Sequence, residues 1–272
     1  SASRIALEKA GLQASDIDAI VFCGITRDMI EPSTACITGS KLGIGTPSLK
    51  LAPDITSACH GFTAAMQLAN AMIATGQWKK VLLCTGEQNS SRLARISQDI
   101  KNGKYTAEKA IDIVGFFSCG DVGAAMVLGP SDDERGLVYM RSATNPEFAN
   151  ACHMGSWGDE NHCSMNMEQI CNETIALVKS MKPRDIYAQL GWDVGDIDML
   201  VQHQVGQLPY LAGSRVFNIP VRKCPKIFER YGNLTSASIP ATLDQCDLKE
   251  GHRIMTSSTG SGIAASQWAY LV

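Results

Sequence analysis

Two hydrophobic periods take turns along the chain. Helical spacing over about 3 to 11 gives way to a strand, "IDAIVFCG" (17 to 24), then a helix over about 32 to 42 and a short strand near 49 to 54. A helix over 59 to 75, a strand "KKVLLCTG" (79 to 86) and a polar helical stretch follow, and strands "GAAMVLG" (123 to 129) and "GLVYMRSA" (136 to 143) close the first half. Beyond a loop from about 145 to 165 the pattern predicts a long helix, a strand "IDMLVQH" (197 to 203), further helices, and strands near 252 to 258 and 264 to 272. Strands alternating with helices predict layered α/β architecture.

The pattern also repeats. "AGLQASDIDAIVFCG" returns as "LGWDVGDIDMLVQHQ", with Asp16, Ile17 and Asp18 matching Asp196, Ile197 and Asp198 at an offset of 180. "ITSACHGFTAA" returns as "LTSASIPATLD" at 179, setting Cys59 against Ser238. "VLLCTG" against "IMTSST" and "GAAMVLG" against "SQWAYLV" follow in the same order at 173 and 143. Offsets that recur in order predict two duplicated halves, 1 to 145 and 146 to 272.

Composition changes this picture little. With 45% hydrophobic and 19% charged residues the chain reads as globular. A net charge of −3 with no basic run argues against nucleic acid or an anionic membrane as partner. No apolar run is long enough to span a bilayer, and "SASRIALEKAGLQ" reads as an amphipathic helix rather than a signal peptide. Ten cysteines without a CxxC pair fit a reduced, cytoplasmic setting, in which the N-x-S/T triplets at Asn89, Asn172 and Asn233 are chance matches.

Chemistry concentrates at Cys59. The helix over 59 to 75 carries Phe62, Ala65, Met66, Ala69, Met72 and Ile73 on one face and Ala64, Leu68 and Ala71 on the other, which predicts a helix sandwiched in the interior. A thiol in its first turn meets the positive end of the helix dipole, so a lowered pKa and an oxyanion site are expected. His60 points about 100° away on a helix, so a base must come from elsewhere. His203 closes a strand at "HQVGQ", where ligands of α/β sheets gather, and Asn233 precedes the helix that mirrors the one at Cys59. Structural roles stay open for each: a space-filling thiol, a satisfied core histidine, a turn asparagine.

"SACHGF", "CGDVGAAMVLG", "VQHQ", "YGNLTSASIPATLD" and "TGSGIAASQWAYLV", in that order, resemble the ketoacyl synthase III branch of the thiolase superfamily over essentially the whole chain. The resemblance implies a five-layered α/β/α/β/α fold of two similar halves, a homodimer and a catalytic set of Cys59, His203 and Asn233. It implies that Cys59 takes an acyl group from a CoA or acyl-carrier-protein thioester, with no metal and no further cofactor. The oxyanion donors it implies are the backbone N–H groups of Cys59 and Ser261, in a turn flanked by Gly260 and Gly262, where many relatives have glycine in place of the serine. His203 and Asn233 would polarise the second thioester for a Claisen condensation. "GITRDMIEPSTAC", "HQVG" and "MRSATN" look like the group that condenses two acyl-CoAs head to head, and there Glu31 would serve as base in the partner subunit's site. The other reading of Glu31 is a helix-start acid before Pro32.

Two departures stand out. The chain begins about 50 to 70 residues into the family pattern, so a first strand is expected to be missing, and Gln207 stands where relatives often carry a basic residue. Rival readings are a papain-like protease, a zinc site at Cys152, His153, His162 and Cys163, a catalytically inactive partner subunit, a decarboxylating synthase fed by malonyl carrier protein, and a simple acyltransferase.

Overall fold

The computed structural model describes residues 1–45, 48–154 and 163–272. Its first half runs α1 (Ala2–Lys9), β1 (Ala19–Phe22), α2 (Thr34–Leu42), α3 (Gly61–Ala74), β2 (Val81–Glu87), α4 (Ser90–Lys101), α5 (Ala107–Ile113) and β3 (Val122–Leu128). The remainder runs β4 (Gly136–Thr144), β5 (Cys152–His153), β6 (Ser164–Met165), α6 (Met167–Ser180), α7 (Pro183–Leu190), β7 (Met199–Gln202), α8 (Gln207–Phe217), α9 (Phe228–Tyr231), α10 (Ser238–Asp244), β8 (Arg253–Gly260) and β9 (Ala264–Leu271). The expected long helix after the loop is thus two helices. Lys182 adopts φ 44 and Pro183 opens α7, and a proline cannot extend the helix before it. The expected strand near 49 to 54 pairs with β1 only at Leu51 and Asp54. Ile20 N–H donates to Leu51 and Phe22 N–H to Pro53, whose own nitrogen has no hydrogen to return.

The strands form two main sheets, β1-β2-β3 and β4-β9-β8-β7. Alternation along the strands sorts side chains into three cores. Ala19 and Val21 of β1, Val81 and Leu83 of β2, and Val201 and Ile254 of the second sheet meet Phe62, Ala65, Met66 and Ala69 of α3 and Ile239 of α10 between the sheets. Ile20, Phe22, Leu82 and Cys84 face outward onto Leu7 of α1 and Ala35 of α2. Leu200, Met255, Ala265 and Ala269 face the other way onto Val178 of α6, Ile186 and Tyr187 of α7, and Tyr210 and Phe217 of α8. Helices, sheet, helices, sheet, helices is the five-layered order expected. One expectation fails in part: Gln67, Leu68, Asn70 and Ala71 leave a flank of α3 open to solvent, because its other side alone is packed between the sheets.

The duplication is visible in the pairing. Ala19 pairs in parallel with Val81, and Met199 with Ile254, so the offsets of 180 and 173 carry one pair onto the other. Val81 opposes Leu128 and Ile254 opposes Tyr270, which makes the last offset 142 rather than 143. The match at 179 is also out of register. Ala58 and Thr235 share left-handed φ values of 47 and 48, and His60 and Ala237 share the position just before α3 and α10. Cys59 therefore corresponds to Ser236, not Ser238. β4 ends at Thr144, inside the expected first half, yet it pairs along its length with β9 of the second sheet. Main-chain hydrogen bonding to β9 decides that placement.

Candidate active site

The start of α3 sits directly on the end of β1. A Cβ at Gly61 would lie 2.5 Å from the Cys23 carbonyl oxygen, so only glycine admits this approach. Cys59 stands two residues ahead of the helix, in a turn where His60 N–H donates to Ser57 at 3.0 Å and Gly61 N–H to Ala58 at 3.0 Å. A second close approach brings the Gly260 to Gly262 segment onto this turn: a Cβ at Gly260 would lie 2.7 Å from the His60 nitrogen and 3.1 Å from the Ser57 oxygen.

Distant segments of the chain meet at one cavity of about 130 Å³, lined by Cys59, His203, Asn233, Gly260 and Ser261 together with Cys152. His203 follows β7 directly, and its N–H donates to Ser257 of β8 at 2.8 Å, which ties it to the sheet. Its Nδ1 is buried without a partner among the described residues. Asn233 is held by its backbone between Ser118 and Gly120. Its side-chain oxygen accepts the Thr235 N–H at 2.8 Å. It is therefore a turn residue as well, and its oxygen being taken, the amide NH2 is the group left to donate into the cavity. Ser261 is not among the residues with positive φ; Gly262, at φ 126, takes that conformation. The serine at 261 is thus accommodated, and it lines the cavity beside Cys152. Gly262 does not line the cavity.

Electrostatics run against the lowered thiol pKa expected of Cys59. Burial pushes it well up, and Cys119, Glu87 and Cys152 add to this, while its backbone hydrogen bond lowers it by less. Burial is the largest of these contributions, and it acts against the lowering expected at a helix start. His203 is lowered to about 4 by burial and by His60. Both groups are neutral near pH 7.

Glu31 does not join them. It is exposed, before α2, and outside its own chain's cavity. It does not serve the start of α2 either: the Ser33 hydroxyl accepts from Cys36, and Asp54 accepts from Thr34 and Ala35. Gln207 is exposed at the start of α8. Of the possible zinc ligands, Cys152 lines the cavity, His153 is exposed, Cys163 packs beside Ile96 and Phe116, and His162 lies outside the described residues. Among the described residues no three such groups cluster.

The cavity walls were not identified from the sequence. Met167, Ile170, Cys171, Thr174, Ile175 and Val178 form one face of α6, turned toward Pro209, Gly213 and Val216 of α8 across the empty space. Their spacing of three and four is the available signal, but the same stripe would serve a filled core. A mainly apolar chamber whose wall also carries a thiol, an imidazole and an amide suits a reaction on an acyl chain.

Two family models match, 3-oxoacyl-[acyl-carrier-protein] synthase III over residues 53–146 and its C-terminal part over residues 187–270. A β-ketoacyl-[acyl-carrier-protein] synthase III of Clostridium perfringens is 30% identical over 268 residues, covering 96% of this chain and 80% of its own. The chain belongs to the 3-oxoacyl-[acyl-carrier-protein] synthase III family. The acyl-CoA:acyl-CoA alkyltransferase of Xanthomonas campestris is 27% identical over 275 residues, 97% of this chain and 78% of that one. The structure of Xanthomonas campestris OleA with bound lauric acid and lauroyl-CoA matches with a TM-score of 0.90 at 26% identity, covering 100% of this chain and 80% of that chain. The fold is thiolase-like, as expected. No helix among the described residues is long and apolar enough to cross a membrane.

Proposed function

We propose that this synthase III family member is an acyltransferase that joins two acyl thioesters by Claisen condensation through an acyl-Cys59 intermediate, with two acyl-CoAs as substrates. The observation that carries the reading is the mainly apolar cavity onto which Cys59, His203, Asn233 and the Gly260–Ser261 turn converge from separate segments.

In the first half-reaction the Cys59 sulfur attacks the thioester carbonyl, the C–S bond to CoA breaks, and the thiol proton leaves with CoA. The N–H groups of Cys59 and Ser261 hold the tetrahedral oxyanion. In the second, His203 and the Asn233 amide donate to the carbonyl of the next thioester while a base removes its α-proton. The enolate attacks the acyl-Cys59 carbonyl, a carbon–carbon bond forms, and the sulfur is released. Glu31 of a second copy is that base in our reading, which makes the enzyme a homodimer. In support, Glu31 is exposed and unused by its own helix, between exposed Met29, Ile30 and Pro32. The ten dispersed cysteines fit a cytoplasmic setting.

Product analysis with paired acyl-CoAs tests this. A β-keto product without malonyl thioester supports it; strict dependence on a malonyl thioester with loss of CO2 would make the protein a decarboxylating synthase, and acyl transfer without a new carbon–carbon bond would make it a simple acyltransferase.

A further inference from the structure

His60 is buried, follows the nucleophile and has no part in the chemistry above. Its imidazole nevertheless bridges two hydroxyls, Ser57 Oγ at 3.2 Å from Nδ1 and Ser266 Oγ at 2.5 Å from Nε2. Ser266 Oγ lies 2.7 Å from Ser142 Oγ, which donates to Gln67 Oε1 at 2.6 Å. Proton counting orders the whole series. A hydroxyl has one hydrogen, so Ser142, donating to Gln67, must accept from Ser266, and Ser266 must accept from His60 Nε2–H. Nδ1 then carries the lone pair and accepts from Ser57. Burial, which lowers His60 to about 4, keeps the ring in this neutral form. Every donor points the same way, from the residue before Ala58 to the strands β9 and β4.

That series is anchored beside a left-handed backbone residue. Ala58 holds φ 47, a conformation alanine seldom adopts, and it sets the direction of the Cys59 side chain and N–H. We propose that His60 is a positioning residue, which clamps Ser57 so that the Ala58 turn presents Cys59 squarely to the Gly260–Ser261 oxyanion turn. The proposal rests on the acyl-transfer reading for its consequence, not for its geometry.

The test is single-turnover acylation of Cys59 by lauroyl-CoA, read by intact mass, in His60→Phe, His60→Asn, Ser57→Ala and the double variant His60→Phe with Ser57→Ala. A misaimed sulfur should slow the saturated rate about 10- to 100-fold while the half-saturating concentration stays within about twofold. Ser57→Ala should share the loss, the double variant should be no slower, and His60→Asn, whose Oδ1 can still accept from Ser57, should recover most of it. A folded His60→Phe that acylates at the wild-type rate, or a Ser57→Ala effect that adds to it, would overturn the proposal. Should His60→Phe not fold, Ser57→Ala and His60→Asn decide alone: a wild-type rate in the first overturns it. If the wild-type protein itself takes no acyl group, the acyl-transfer reading fails, and His60 is judged on the rate at which iodoacetamide alkylates Cys59 across the same variants. An unchanged alkylation rate then overturns it.

Discussion

Replacing Gly260 with alanine adds one methyl group at the contact that assembles the site. The new Cβ would lie 2.7 Å from the His60 nitrogen, 2.9 Å from the His60 Cβ and 3.1 Å from the Ser57 oxygen. Two of these are backbone atoms, so no flexible side chain can swing aside; one turn must retreat from the other by about half an ångström or more to reach ordinary contact distance. Overpacking of this kind costs about 1–3 kcal/mol, which for a chain of this size lowers Tm by several degrees, at about 2–4 °C per kcal/mol. The greater loss should be catalytic. The displaced segments carry both proposed oxyanion donors, and losing alignment of one such donor slows acyl transfer about 100-fold or more. Single-turnover acylation by lauroyl-CoA, beside a thermal melt, reads both quantities. A Gly260→Ala protein with wild-type acylation and wild-type Tm would show that the two turns need not touch as they do, and the oxyanion assignment would fall with that contact.

The other predictions concern the proposed roles one by one. Incubation with an acyl-CoA should add one acyl mass to the wild-type protein and none to Cys59→Ala; an acylated variant would place the nucleophile elsewhere. Glu31→Ala should load the first acyl group at the wild-type rate yet form no condensed product, and normal condensation would remove it from the mechanism. Asn233→Ala should likewise spare loading and lose condensation, whereas loss of loading would move the amide to the first half-reaction. Stability should fall in mild acid. With His60 at about 4 in the fold and 6.5 unfolded, the unfolded chain binds more protons between those values, so the stabilisation is full above about pH 6.5 and drains away toward pH 4. Urea unfolding should show the wild type losing about 2 kcal/mol more than His60→Phe between pH 8 and pH 5; equal losses would mean that the imidazole is protonated inside the fold.

Much of the layout was legible because periodicity follows from burial. Near-continuous apolar runs in "IDAIVFCG" and "IDMLVQH" mark strands covered on both faces, and their shared Asp-Ile-Asp lead-in forms matching turns, at Ala14–Asp16 and Val194–Asp196, so these halves align without coordinates. The convergence of Cys59, His203 and Asn233 was readable from the resemblance and from strand ends, since chain topology carries such positions to one edge of the layers. Where local identity competed with geometry, geometry prevailed: "TSAC" and "TSAS" align by letter, yet the left-handed residues Ala58 and Thr235 set the true correspondence two residues away.

By itself, then, the sequence determined the alternating elements, the duplication and the three chemical groups, because each depends on residue type and spacing along the chain. Only the tertiary structure decided that β4 completes the second sheet, that burial raises the Cys59 thiol pKa rather than lowering it, that α6 lines a chamber as well as packing on the second sheet, and that His60 is wired to β9. Those properties depend on which distant atoms approach and how much water they exclude, and neither quantity is local in the chain.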